Sequence, residues 1–237
     1  MPRRTGPIDL VLSRSQVRRV DELAVSRYKM PSLILMENAG RNAAAIIRSE
    51  FPEARRVSIL CGTGNNGGDG FVIARHLSNA GRLPAVLLVG SRSKLTDDAH
   101  TNLAIVEAMG IAIGEWDADF NPATLAAQLE AADLVVDALL GTGFAGEVRS
   151  PMAEVIEIVN ALPFQDVVAV DVPSGLDCDT GMPCQATIHA DLTITFVARK
   201  RGFLEESAVP CVGRIKVGDI GTPPELALEV GRLKIED

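Results

Sequence analysis

The chain is poor in aromatic side chains: they make up 4% of it, with one Trp and one Tyr. A core must therefore be filled mainly by Ala, Val, Leu and Ile, the usual filling of parallel sheets covered by helices. Apolar residues still reach 47%, which argues against disorder. Basic charge is also in deficit, since 23 Lys and Arg face 31 Asp and Glu, for a formal net charge of −8. Such a surface repels a phosphate backbone and argues against nucleic acid as the main partner. Arg3, Arg4, Arg14, Arg18 and Arg19 make the N-terminal stretch basic, but Gly6, Pro7 and Asp9 interrupt it, and it reads as solvated charge. Cys61, Cys178, Cys184 and Cys211 form no C-x-x-C pair, and no apolar signal region follows Met1, so a reducing, cytoplasmic setting is expected. No run approaches the roughly 18 apolar residues of a membrane span. His76, His100 and His189 lack zinc-type spacing and are expected to be structural.

What is present is an alternation of helix and strand signals. Ser13 and Gln16 make a capping box ahead of Val17, Val20, Ala24 and Tyr28, which recur at helical spacing. After Pro31-Ser32 a second helix is expected from Leu33 to Arg48. Strands are expected at 57–61, 85–89, 134–139, 167–172, 192–197 and 214–217, with a short one around 111–113. Helices are expected at about 71–80, 97–109, from Asn121-Pro122, and from Ser150-Pro151 to about 161, with only loops between the last strands. Repeated βα units need crossovers, so the expected fold is an α/β three-layer αβα sandwich with a mainly parallel central sheet. Residues 1–237 read as one domain, a size within the roughly 200–250 residues such folds reach undivided.

Ligands of an open parallel sheet settle beyond the carboxyl ends of its strands. Three strand ends are unusual here. The first is Gly62-Thr-Gly-Asn-Asn-Gly-Gly-Asp-Gly70, whose glycines would free the backbone to turn tightly and whose N–H groups could approach phosphate at the next helix. It contains a literal G-x-G-x-x-G. An ordinary dinucleotide dehydrogenase would, however, place an acid after the following strand, where Gly90-Ser-Arg-Ser-Lys94 stands instead. The second end is Asp137-Ala-Leu-Leu-Gly-Thr-Gly-Phe-Ala-Gly-Glu147. Asp137 lies in an apolar strand, where an unpaired carboxylate is costly, so it needs a cation or backbone donors as partner. The third is Asp171-Val-Pro-Ser-Gly-Leu-Asp177, in which Pro173 and Gly175 force a turn and Ser174 offers a hydroxyl. Oxygen donors without a Cys/His cluster favour a hard cation over zinc, and leave potassium, magnesium and calcium open.

Read with Met36-Glu-Asn-Ala-Gly40, these motifs resemble the YjeF N-terminal domain family of NAD(P)H-hydrate epimerases, and the likeness runs over almost the whole chain. Gly64–Gly70, Val136–Phe144 and Val170–Leu176 carry it, with Thr193–Gly202 as a further segment. The resemblance implies a Rossmann-like domain, a homodimer, and a bound potassium ion held by Asn66, Asp137 and Ser174. It implies NADH hydrate and NADPH hydrate as substrates, contacted by Asn65, Asn66, Gly67, Gly68 and Asp69, by Gly141, Thr142, Gly143 and Phe144, by Ala145, Gly146 and Glu147, and by Asp171. A dehydratase domain fused to this one in many members is not expected within this length. Lys200 is flanked by Arg199 and Arg201 where the family pattern leads one to expect proline; it reads either as a phosphate contact or as part of a solvated basic turn. Glu37 and Asn38 stay outside the expected site.

Inverting C6 requires either loss and return of its hydroxyl or opening and reclosing of the ring, and both move protons. Asp171 is the expected general acid/base of this isomerase. Two other readings are a non-catalytic nucleotide- or protein-binding module on the same fold and an NADP-dependent oxidoreductase.

Overall fold

Ser13 starts the helical part of the chain as its sequence predicts. Its hydroxyl accepts from the Gln16 amide at 3.3 Å, and the Gln16 side chain accepts from the Ser13 amide at 2.9 Å. This reciprocal cap satisfies two amides that the first turn of α1 (Arg14–Ser26) would leave bare. The computed structural model describes residues 10–116, 121–163 and 166–233; Arg3 and Arg4 of the basic stretch lie outside them. Just before α1, β1 (Val11–Leu12) pairs in parallel with β8 (Arg199–Lys200), so the start of the described chain is tied to the segment that carries Lys200.

After α2 (Ser32–Glu50) the expected alternation follows: β2 (Arg56–Cys61), α3 (Asn65–Asn79), β3 (Leu83–Val89), α4 (Asp97–Ala108), β4 (Ala112–Trp116) and α5 (Pro122–Glu130). Then come β5 (Leu134–Ala138), α6 (Met152–Asn160), β6 (Val167–Val170), β7 (Leu192–Phe196) and β9 (Arg214–Gly218), closed by α8 (Pro224–Gly231). The connection from β7 to β9 was expected to be loop; it holds β8, two 3₁₀ turns and the short α7 (Val209–Val212). The sheet runs β4-β3-β2-β5-β6-β7-β9, all parallel.

Strand side chains alternate between the two faces, and each face is buried under helices. Ile59, Cys61, Val86, Leu88, Val136 and Val168 join the core shared with α1, α2, α3, α4 and α8. Leu60, Leu87, Val89, Val135 and Ala169 join the other, under α5 and α6. Three layers result. The chain winds outward from β2 through β3 to β4 and then returns to lay β5 on the other side of β2. At such a switch the loops after the two strands diverge and leave a crevice, the usual ligand position in this architecture. No helix among the described residues is long and apolar enough to cross a membrane.

Candidate active site

The Gly/Asn segment after β2 is helix rather than loop: α3 begins at Asn65, six residues before the expected start. The glycines work by close approach, not by turning. A Cβ on Gly67 would lie 1.9 Å from the Gly62 carbonyl oxygen, and one on Gly70 would lie 2.6 Å from Cys61 Sγ and 2.8 Å from Ala138 Cβ. On the other side of α3, a Cβ on Gly40 of α2 would come within 2.4 Å of Val72 Cβ. Hydrogen-only side chains thus let α3 press its first turns onto the ends of β2 and β5. Gly64 caps the helix without a side-chain acceptor for the first-turn amides, and Gly64, Asn65 and Asn66 border the crevice. Beside them the Asn66 side chain is buried with neither its oxygen nor its nitrogen hydrogen-bonded.

Asp137 has the partners its position demands. Fully buried on β5, it accepts from Ser174 Oγ at 2.6 Å, Ser174 N at 2.8 Å and Leu139 N at 3.1 Å. Burial pushes its carboxyl up to about 6, with those bonds pulling the other way. The Ser174 hydroxyl also accepts from Leu140 N at 2.9 Å. Asp137 and Ser174 therefore lock the turn after β5 to the turn after β6 from behind the crevice.

Asp171 ends β6 with φ of +65°, and Val197 ends β7 with φ of +68°. Each is the middle of a three-residue turn, closed by Val172 N to Val170 O at 2.9 Å and Ala198 N to Phe196 O at 2.7 Å. Side chains other than glycine seldom sit there, least of all a β-branched one, and each such residue costs about 1–3 kcal/mol. Two strained turns on neighbouring strands mark this edge as shaped for something other than stability.

Lys200 proves to be neither a phosphate contact nor part of a solvated turn: its side chain is 0% exposed. Nζ donates to Thr195 Oγ1 at 2.8 Å and Phe196 O at 3.1 Å, and pairs with Asp171 Oδ1 at 2.8 Å, so its three protons are all used. The strand alternation of β8 explains the correction. Pairing with β1 fixes the segment as extended backbone, which turns Lys200 inward between a half-buried Arg199 and an exposed Arg201. The other Asp171 oxygen, Oδ2, accepts from Thr142 N at 2.7 Å and from the Thr142 hydroxyl. Burial by itself would raise the Asp171 carboxyl; the Lys200 ammonium and the Thr142 donors outweigh it and hold the group below the ordinary carboxylate range.

Asn66, Asp171 and Val197 share one cavity of about 1120 Å³, whereas Asp137, Ser174 and Lys200 are not on its wall. Of the residues expected to contact substrate, Asn65, Asn66, Asp69, Gly141, Thr142, Gly143, Phe144 and Asp171 line it. Gly67 and Gly68 do not; they pack against Gly62 and Met36. Ala145, Gly146 and Glu147 also lie away from its wall, where Cys184 Sγ donates to the Gly146 carbonyl at 2.9 Å. Sequence reasoning missed the opposite contribution, from α1 and α2: Val17, Asp21, Leu35 and Met36 among others. Glu37 points away to Arg75 and to His76 Nε2 at 2.8 Å, and Asn38 donates to Ile220 O at 3.0 Å, so both lie outside the site as expected. Arg92, in the segment that stands where a dehydrogenase would carry its acid, is engaged by Glu107 and Glu115. No histidine lines the cavity, and the cysteines are free. Among the described residues no group of three or more His, Cys, Asp or Glu could hold a metal ion. The Asn66 amide is the buried polar group here that lacks a partner, and it suits an oxygen-liganded cation.

Residues 32–202 match the family described as YjeF-related protein N-terminus. The chain is 45% identical over 211 residues to the NAD(P)H-hydrate epimerase of Rhodopirellula baltica, covering 89% of this chain and 84% of that one. It is 41% identical over 220 residues to the NAD(P)H-hydrate epimerase of Pirellula staleyi, covering 93% and 96%. A bifunctional NAD(P)H-hydrate repair enzyme Nnr of Moorella thermoacetica is 41% identical over 223 residues, which make up 91% of this chain and 41% of that longer protein. The crystal structure of yeast YNL200c has the same fold, with a TM-score of 0.79 and 96% of each chain covered at 24% identity. The glycine-tight start of α3, the Asp137–Ser174 lock and the Asp171 turn all fall within the matched segment, and the chain belongs to the YjeF-related N-terminal family.

Proposed function

We infer that this chain is an isomerase, an NAD(P)H-hydrate epimerase that interconverts the R and S epimers of hydrated NADH and NADPH. The observation that carries the reading is the cavity at the β2/β5 switch point, where Asp171 is kept ionised by a buried lysine in a chain whose relatives are named for this reaction.

The substrate carries its hydroxyl on C6, next to the ring nitrogen. If the hydroxyl leaves as water, the nitrogen lone pair closes onto C6 and an iminium cation forms. Water then adds to the other face and gives up a proton. One C–O bond breaks, another forms, one proton passes from an acid to a base, and the redox state is unchanged. Asp171 suits the basic half, because its carboxylate is ionised, aimed by Thr142, and placed to accept a proton from the adding water. Asp171 is the carboxylate on the cavity wall held below the ordinary range, and its negative charge favours a cationic intermediate over ring opening, which develops no such cation. First-turn amides of α3 offer donors to the substrate diphosphate. Potassium held by Asn66, Asp137 and Ser174 would supply a fixed positive charge that orders the three strand ends.

The test is exchange of separated epimers. Purified protein given either epimer, without ATP, should drive both to one common ratio faster than enzyme-free controls, with no redox product. Exchange no faster than those controls would refute the assignment and leave a binding module as the reading. Run in ¹⁸O-labelled water, each inversion should place solvent oxygen on C6; retention of the original oxygen would refute the hydroxyl-loss route.

A further inference from the structure

Positions three or four apart on α1, Arg14, Val17, Arg18, Asp21 and Val25, all face the cavity. Arg14 is paired with Asp177 at 2.7 Å. Asp21 is different: among the described residues no hydrogen bond or ion pair reaches its carboxylate, although it is half-buried. Its surroundings do not compensate. Asp171 faces it across the cavity, and the Lys200 charge near it is already bonded to Asp171. Glu22 adjoins it on α1, and the Asp21 charge reaches Asp69 of α3, whose carboxyl is pushed well up by burial and its acidic neighbours. Arg14 and Arg18 lie one turn or two before it on the same face. A carboxylate held without donors among like charges opposes folding, and a cleft that keeps one there is a place for proton chemistry.

We propose that Asp21 is the proton donor to the departing C6 hydroxyl, acting from the α1 wall of the cavity while Asp171 takes the proton of the adding water at the sheet edge. The inference rests on the epimerase reading. In one direction Asp21 gives its proton to the hydroxyl, the C6–O bond breaks, and water leaves. A second water adds to the opposite face, and its proton passes to Asp171. The reverse reaction starts with the proton on Asp171, and solvent returns it between turnovers. Burial, then the Asp171 charge, pushes the Asp21 carboxyl up to about 6, whereas Asp171 is held low. Two carboxyls of one cavity whose proton affinities are driven apart divide naturally into acid and base.

The experiment compares wild type, Asp21→Asn and Asp21→Glu by epimer exchange over a pH series, with thermal melts of each. In wild type, activity should decline as pH rises through about 6, where Asp21 loses its proton. Asp21→Asn should lower kcat by roughly 10²–10³-fold with KM little changed, and should abolish that decline. Its Tm should stay the same or rise, because a repelled charge is gone. Asp21→Glu should restore much of the turnover and the pH limb. Wild-type turnover in Asp21→Asn, a change confined to KM, or a lowered Tm with activity lost in proportion would each overturn the proposal. Failure of the underlying reading is separate, because wild type itself would then exchange no faster than the controls.

Discussion

Replacing Lys200 by methionine tests the electrostatic core of the site. The ammonium is fully buried and bonds Asp171 Oδ1, Thr195 Oγ1 and Phe196 O. Methionine fills a similar volume and leaves Asp171 as a buried charge facing only the Thr142 donors. Removing one partner of a buried pair costs about 3–5 kcal/mol, since the remaining charge has lost both water and counter-ion. With a urea slope of about 2–3 kcal/mol/M, the unfolding midpoint should fall by roughly 1–2 M at neutral pH. The pH dependence has a definite sign. In wild type the folded-state Asp171 carboxyl lies below its unfolded value. The stability it contributes is therefore present above the unfolded value and lost as pH falls through the folded one. Without Lys200, burial dominates and the folded value rises above the unfolded one. The variant then gains stability, relative to wild type, as pH falls toward and below the usual carboxylate range. Adding Asp171→Asn to Lys200→Met should recover much of the loss at neutral pH, with a coupling of about 1–3 kcal/mol. A single variant that loses less than about 1 kcal/mol, equally at all pH values, would refute the view that Lys200 exists to hold Asp171 ionised.

Asp171→Asn should cut turnover by roughly 10²–10⁴-fold; it should also lower the Tm, because Lys200 is left without a counter-charge, so activity must be measured per folded molecule. Gly67→Ala should destabilise by about 1–3 kcal/mol or more, since its Cβ would meet the Gly62 carbonyl, whereas Gly143→Ala, with nothing within 4 Å, should stay within about 0.5 kcal/mol of wild type by chemical denaturation. At equal ionic strength, the Tm should be higher in potassium than in sodium or a bulky organic cation, because an ion bound only by the folded state stabilises it by mass action; identical curves would remove the ion from Asn66, Asp137 and Ser174.

The sequence was informative wherever a local rule operates. Ser13 and Gln16 are three apart, so their cap needs nothing from the rest of the chain, and it forms. Asp137 in an apolar strand announced that it needed a partner, and the partner is Ser174, on the next turn expected to hold chemistry. The order of βα units implied a parallel sheet, and βαβ handedness leaves few ways to wind one. The glycines after β2 were visible as a motif, yet their purpose was not. A glycine needed for a turn and one needed for helix–strand contact look alike until the neighbour that a Cβ would strike, here Gly62 or Ala138, is in place.

Composition, motif order and strand ends therefore determined by themselves the layered fold, the edge of the sheet where chemistry gathers, and the candidacy of Asp171. Tertiary structure decided what surrounds that carboxylate. Lys200 lies 29 positions away and reaches it because β8 pairs with β1, a contact between distant segments that no local pattern encodes. Asp21 lies 150 positions away, on a helix whose periodicity announced only its buried face, and it reaches the cavity because α1 covers the crevice. Proton affinity depends on burial and on charges brought close through space, so the division of these aspartates into acid and base is a property of the folded chain.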